Sequence, residues 1–336
     1  MGEALRLGVV GCGGIARFTA LFARWNRGIH LAACCDVSKE KAKAFAQRYG
    51  FEWSHTSLDE MLNETEMDAV YLAVPHHLHH PMLTAALGKS YHVLVEKPVT
   101  RTLDEGRDIV KRADEKGLKV GVNYQYRYSK ACHALAAALR DGALGKVHYA
   151  RIHVPWSRKQ SYFDTAPWHR FQAQAGGGTL ITQGSHFLDL LLWGMDSPPE
   201  SAAGYVAKMR FEDVEVEDLA QGIVQLKNGS FLQITSTMAA HAERPVTIEV
   251  YGEKGSAFYT NRPFPRLRFR GVRLKKRPPP CSGIHALQRS LEGFRSWVKE
   301  GKPYLTPAKD ALPVLASVEA IYRSAQTGKR EAVCIG

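Results

Sequence analysis

Along the first 125 residues, short apolar runs alternate with amphipathic stretches. The runs Leu5–Val10, Ile29–Cys35, Ala69–Val74, Tyr91–Val95 and Val120–Val122 have strand length. Between them lie helical patterns with recognisable ends. Lys39–Tyr49 has Ser38 as its cap and Gly50 just past its end. Ser57-Leu58-Asp59-Glu60 and Thr102-Leu103-Asp104-Glu105 have capping-box spacing, and Pro81 suits the first turn of a helix running to Gly88. Strand and helix in alternation predict a parallel sheet covered on both faces. Beyond Asn123 the rhythm changes. Ser129–Asp141 and Thr179–Trp193 read as helices, and His148–Val154, Ala202–Phe211, Leu219–Leu226, Phe231–Met238, Thr247–Tyr251 and Ser256–Tyr259 as strands. Asn228-Gly229 predicts a hairpin, so this second sheet is mostly antiparallel. Helices return at Ile284–Lys299 and Ala308–Ala325, after a local break at Pro278-Pro279-Pro280.

The pattern divides the chain into residues 1–125 and 126–336, and 336 residues exceed one ordinary core. Hydrophobic residues at 45% and charged residues at 23% describe a folded globular protein. No apolar run reaches the length of a membrane span and the N-terminus lacks a signal-peptide pattern, so a cytoplasmic protein is expected. Cys12, Cys34, Cys35, Cys132, Cys281 and Cys334 show no C-x-x-C spacing, which favours reduced thiols and argues against zinc. The formal charge of +12 changes the picture more. Much of the excess sits in Arg262–Arg277, a run that invites a nucleic-acid reading. Leu267 and Phe269 alternate there with Arg266, Arg268 and Arg270, which reads instead as an exposed edge strand with basic outward positions. No recognition motif for nucleic acid accompanies it. An anionic substrate or partner remains the second reading.

The first apolar run leads directly into Gly11-Cys12-Gly13-Gly14-Ile15-Ala16 and then an amphipathic stretch to Trp25. Strand, glycine turn and helix in that order suit a dinucleotide pyrophosphate at the helix N-terminus. Gly11 permits the turn, Gly13 lets the backbone approach phosphate, and Ala16 lets helix and strand pack closely. Asp36 ends the next run, where an acid on the adenosine ribose is expected. A carboxylate there accepts from both ribose hydroxyls and repels a 2′-phosphate, which favours NAD over NADP.

Three further clusters could carry chemistry. Lys97 in Glu96-Lys97-Pro98 follows a strand end, where ligands of open α/β sheets bind; a surface lysine is the plain alternative. On the predicted helix after Gly176-Gly177-Gly178, residues Thr182, His186 and Asp189 share one face. His186 suits proton exchange, or is a core histidine satisfied by Asp189 or a carbonyl. His76, His77, His79 and His80 invite a metal, but no cysteine or carboxylate lies close in sequence, so no metal is expected.

Together, the glycine turn, the Ala73-Val74-Pro75…His79 loop, Glu96-Lys97-Pro98, the GGG…G-x-H-x-x-D segment and Ser324-Ala325-Gln326-Thr327-Gly328 resemble the glucose–fructose oxidoreductase/inositol dehydrogenase/MocA-like family. The resemblance spans nearly the whole chain. It implies an N-terminal Rossmann dinucleotide-binding domain, then an α/β domain with a large, mostly antiparallel open sheet used for homodimer or homotetramer formation. It also implies NAD(P)-dependent oxidation or reduction of a sugar or cyclitol carbon. Carried over position by position, Lys97 matches the lysine at the reacting hydroxyl and His186 the proton-exchanging histidine. Gly11, Gly13, Gly14 and Ile15 match the pyrophosphate turn, and Asp36 the ribose acid. Ala73, Pro75, His76, His79 and Glu96 match the cofactor groove, and Asn123 and Gln125 its carboxamide end. Arg127, Trp168 and Arg170 match pocket positions, and pocket specificity is expected from loops such as Pro155–Gln174, which holds the last two. Many members carry aspartate where this chain has Thr182, which cannot hold a charge opposite an imidazolium. Thr182-Gln183-Gly184 is similar to members acting on nucleotide-linked or modified sugars. Two other activities fit the same scaffold: an NAD-dependent glycosidase, and a non-catalytic nucleotide-sensing regulator.

Overall fold

The computed structural model describes residues 3–273 and 280–335. The chain forms two compact units: the residues up to Thr100 with Asp104–Tyr128 and Pro280–Lys309, and Arg101–Leu103 with Ser129–Pro279 and Asp310–Gly336. The sequence pattern assigned all of 126–336 to the second; 280–309 instead belongs to the first.

The first unit is built on six parallel strands in the order β3-β2-β1-β4-β5-β6. These are β1 (Leu5–Val10), β2 (Ile29–Cys35), β3 (Trp53–His55), β4 (Ala69–Leu72), β5 (His92–Val95) and β6 (Val120–Val122). The helices α1 (Gly14–Arg24), α2 (Lys39–Tyr49), α3 (Leu58–Glu64), α4 (His79–Gly88) and α5 (Leu103–Glu115) alternate with them. Short β3 was not anticipated: it is a three-residue edge strand with Trp53 exposed, too brief to show a period. Ser38 caps α2 by accepting from Lys41 N, whereas Ser57 makes no such bond to α3 despite the matching spacing. Residues 280–309 join this unit because Leu287, Leu291 and Phe294 form one buried stripe of their helix (Ala286–Glu300). Leu291 and Phe294 enter the same core as Leu5, Leu7, Tyr71 and Leu94. Polar ties fix the attachment: Asn26 Nδ2 donates to Glu292 (2.7 Å), Lys299 pairs with Asp68 (2.8 Å), and Val122 N donates to Thr306 O (2.9 Å).

The second unit begins with α6 (Lys130–Arg140), β7 (Val147–Pro155), α7 (Ser161–Thr165) and α8 (Gln172–Ala175). A π-helical turn, Leu180–Gly184, then runs into α9 (Ser185–Met195). The rest of its sheet is β8 (Pro199–Ala207), β9 (Leu219–Leu226), β10 (Phe231–Thr237), β11 (Thr247–Gly252), β12 (Ser256–Thr260), β13 (Arg266–Arg270) and β14 (Glu331–Ala332). With the first unit's Ala286–Glu300 as α10, α11 is Leu312–Thr327. The eight strands run β13-β12-β11-β7-β10-β9-β8-β14, antiparallel except for β7 against β10. One face packs on α6, α9 and α11. Period-2 alternation leaves Tyr149, Ile223, Phe231, Tyr251 and Phe258 exposed on the other.

Two departures in this unit have clear causes. The run Ala202–Phe211 stops being a strand at Ala207, because the backbone N–H groups of Met209, Arg210 and Phe211 turn into the buried Asp218 carboxylate (2.8, 2.8 and 3.1 Å) instead of the ladder. The expected α-helix Thr179–Trp193 opens into a π turn, in which Ser185 N reaches back to Leu180 O. The basic segment does form an edge strand: in β13 Arg266, Arg268 and Arg270 are exposed while Leu267 and Phe269 are half-buried. Residues 274–277 of this segment and Pro278-Pro279 lie outside the described residues. Among the described residues no helix is long and apolar enough to cross a membrane.

Candidate active site

Because all six strands of the first sheet are parallel, the carboxyl ends of β1, β4, β5 and β6 form one crest. At β1 the chain turns through Gly11 with φ +88°; a Cβ there would lie 2.3 Å from Ala73 O, so only glycine fits. Gly13 and Gly14 are exposed, and a Cβ on either would meet no atom within 4 Å. That open space borders the first turn of α1, whose N–H groups have no partner inside the helix. Ile15 is half-buried beside it, and Ala16 is fully buried against the sheet.

Asp36, at the end of β2, is tied to this turn. Its Oδ2 accepts from Cys12 N and its Oδ1 from Ser38 N, both at 3.0 Å. Each oxygen keeps a second lone pair for another donor. The acid therefore also braces the glycine turn, a role its sequence position did not suggest.

Several expected groove residues prove to be internal supports. His79 is wholly buried, with Nδ1 2.8 Å from Pro98 O and Nε2 3.0 Å from Val74 O; burial pushes its pKa down to about 4. It links the loops after β4 and β5 and presents no surface to a cofactor. His76, also buried, packs its ring 5.6 Å from that of His79, while Ala73 and Pro75 stay half-buried at the crest. His80 instead pairs with Asp108 (2.8 Å), so the histidine run disperses to separate partners.

Glu96 and Asn123 are likewise engaged. Glu96 Oε1 accepts from Tyr71 OH (2.5 Å) and Asn123 Nδ2 (2.6 Å). Thr19 donates to Tyr71 OH, and Ser290 donates to Asn123 Oδ1 (2.9 Å) while contacting Tyr304 OH. Burial raises the Glu96 carboxyl, and the bonds from Tyr71 and Asn123 and the Lys97 charge oppose that rise. Asn123 is 2% exposed and braces the crest from below. Gln125 differs: its Oε1 is enclosed without a hydrogen-bond partner, an acceptor left for another molecule. Arg127, expected in a substrate pocket, is 2% exposed and donates to Leu305 O (2.6 Å). Lys97 is half-buried, two residues past the end of β5. The open glycine turn, the acid beside it and the orphaned Gln125 acceptor fit a bound dinucleotide.

In the second unit, Thr182 and His186 keep 7% and 6% exposure, while Ile181, Ser185, Phe187, Leu188 and Asp189 keep at most 1%. The two therefore keep more exposure than these neighbours. Thr182 Oγ1 donates to Gly178 O (2.6 Å). Tyr162 meets Thr182 through its hydroxyl and approaches His169 Nδ1 at 3.0 Å; burial pushes its pKa up to about 12. The Arg158 guanidinium lies over the Tyr162 and Trp156 rings at 5.4 and 5.7 Å. Trp168 stacks on His169 at 3.6 Å and packs on the small core of Phe163, Ala175 and Phe211. Arg170, expected to meet substrate, is held by both Asp164 (2.6 Å) and Asp213, so it fastens its own loop. Tyr162, His169 and Arg158 lie in the loop flagged from sequence, but no spacing singled them out.

Comparison with known proteins agrees with this architecture. The model of an oxidoreductase family with an NAD-binding Rossmann fold matches residues 5–124, and that of the GFO/IDH/MocA C-terminal domain matches residues 132–258. The chain is 27% identical over 330 residues to 1,5-anhydro-D-fructose reductase of Ensifer adhaerens, covering 96% of this chain and 97% of that one. It is 27% identical over 302 residues to glucose-6-phosphate 3-dehydrogenase of Bacillus subtilis, covering 86% and 84%. The crystal structure of the WlbA dehydrogenase from Bordetella pertussis in complex with NADH and UDP-GlcNAcA superposes with a TM-score of 0.87, at 27% identity over 99% of both chains. Matches to both domains, on a parallel sheet with a glycine turn at its crest, make this chain a member of the Gfo/Idh/MocA oxidoreductase family, an NAD(P)-dependent oxidoreductase.

Proposed function

We propose that Lys97 and His186 are the catalytic residues of this NAD(P)-dependent sugar or cyclitol oxidoreductase, whose substrate carbon bears a secondary hydroxyl or a ketone. Bound nicotinamide supplies the hydride acceptor or donor. The chain supplies the polar catalysis. The Lys97 ammonium hydrogen-bonds the substrate oxygen as negative charge grows on it. The His186 ring takes the hydroxyl proton in oxidation and returns it in reduction. Thr182 supports that face by hydrogen bonding, without a charge opposite the imidazolium.

The observation that carries this reading is the crest of the first sheet. The open glycine turn follows β1, Asp36 follows β2 and Lys97 follows β5, all at the carboxyl ends of strands of one parallel sheet, which supports this reading. Asp36 supports NAD as the preferred cofactor. The substrate class we favour is an anionic or nucleotide-linked sugar. The +12 charge and the Thr182-Gln183-Gly184 sequence support it, as does the UDP-GlcNAcA bound by the Bordetella relative. Cys12, Cys34, Cys35, Cys132 and Cys281 are thiols, which suits the cytoplasm. The exposed sheet face, where Tyr149 and Tyr251 stack at 4.8 Å beside Phe231 and Phe258, supports assembly into a homodimer or homotetramer.

The test is a panel of neutral sugars, uronic acids and sugar nucleotides, each with NAD or NADP, followed by absorbance of the reduced cofactor. On the best substrate, Lys97→Ala should lower kcat by roughly 100- to 1,000-fold, the usual cost of losing one oxyanion donor. Its NAD affinity should stay near wild type. Near-normal turnover in that variant removes Lys97 from the chemistry.

A further inference from the structure

Three consecutive backbone N–H groups open the segment that carries Thr182 and His186, and one distant residue captures all three. Glu217 Oε2 accepts from Gly178 N (2.6 Å), Glu217 Oε1 from Leu180 N (2.9 Å), and the Glu217 carbonyl from Thr179 N (3.0 Å). Tyr322 OH, from α11, holds Oε1 from the other side at 2.9 Å. Such N–H groups have no partner within their own helix, and a carboxylate is the acceptor best suited to them.

Two short relays lead from this carboxylate to the active face. Gly178, whose N–H Glu217 holds, accepts both Thr182 N (3.0 Å) and Thr182 Oγ1 (2.6 Å) on its own carbonyl. Leu180, held in the same way, accepts the N–H of Ser185, the residue before His186, across the π turn. The glycines are the imprint of this approach. A Cβ on Gly178 would lie 1.8 Å from Glu217 O, and one on Gly177 would lie 2.2 Å from Tyr322 OH. Burial pushes the Glu217 carboxyl up to about 6, and the Leu180 and Gly178 N–H groups and the Tyr322 hydroxyl favour its ionised form.

We propose that Glu217, held by Tyr322, is a positioning residue that sets where Thr182 and His186 stand. This rests on the catalytic reading of His186 above. In Glu217→Gln the amide nitrogen cannot accept, so one of the two N–H bonds is lost while the side chain keeps its size. Turnover in this variant should fall roughly 10- to 100-fold through misplacement of His186, with KM for NAD unchanged. Hydrogen exchange followed by mass spectrometry should show peptides covering residues 178–186 exchanging faster, and those from β1 and β4 unchanged. Tyr322→Phe, which keeps the carboxylate but frees it on one side, should lie between Glu217→Gln and wild type in both readouts. It carries the test if Glu217→Gln does not fold. Wild-type kcat together with wild-type exchange in residues 178–186 overturns the proposal. If the wild type oxidises or reduces no sugar, the catalytic reading of His186 fails, and the exchange data still decide whether Glu217 holds the segment.

Discussion

Removing the Asp36 carboxylate separates its two roles. In the free protein it accepts Cys12 N and Ser38 N, each at 3.0 Å, at a half-buried position. Freeing two donors that water can partly reach costs about 1 kcal/mol each, so Asp36→Ala should lower unfolding free energy by about 2 kcal/mol. The effect on the nucleotide is of similar size. A 2′-phosphate about 4 Å from the carboxylate, at an effective dielectric near 20, is disfavoured by about 4 kcal/mol per unit charge before screening. Halved by salt and partial exposure, this still disfavours NADP by roughly 30-fold. Urea unfolding gives the first quantity, and calorimetric titration with NAD and NADP the second. Asp36→Ala should bind NAD more weakly, bind NADP no worse than wild type, and lose most of the preference. A variant that keeps the wild-type NAD to NADP ratio would show that Asp36 does not face the ribose, whatever it does for the turn.

Two further outcomes follow from the same geometry. His79 titrates near 4 when folded, against about 6.5 unfolded. Its neutral ring therefore contributes roughly 3 kcal/mol, fully present above pH 6.5 and lost as pH falls towards 4. Urea midpoints across that window should drop for the wild type, and the drop should shrink in His79→Gln; parallel curves would remove His79 as the cause. Light scattering should return two or four times the 37.3 kDa chain mass, and a monomer at micromolar concentration would refute assembly through the exposed sheet face.

What could be read from the sequence was local and periodic. The run ending at Val10, the turn at Gly11 and helix α1 form one contiguous signal, and Asp36 follows at a set distance. Period-2 alternation identified β9 to β12, and even the edge character of β13. Long-range partners left no such trace. The stripe of Leu287, Leu291 and Phe294 announces a helix but not which sheet it covers, so residues 280–309 were assigned to the wrong unit. Asp218 cut β8 short through three N–H bonds that no propensity encodes. Glu96 and Asn123 were assigned to the cofactor groove by resemblance alone, and nothing in the sequence showed that Tyr71 and Ser290, each far away in sequence, engage their polar atoms. Glu217 was invisible for the same reason: its carboxylate meets backbone N–H groups 37 and 39 positions away and the Tyr322 hydroxyl 105 positions away.

The most direct test of the account is isotopic. A sugar substrate deuterated at the carbon to be oxidised should hand its label to NAD in the presence of the wild-type protein, giving deuterated NADH by mass spectrometry. Lys97→Ala and His186→Ala, binding NAD normally, should give almost none. Label appearing at the wild-type rate in either variant would contradict the assignment of the chemistry to Lys97 and His186.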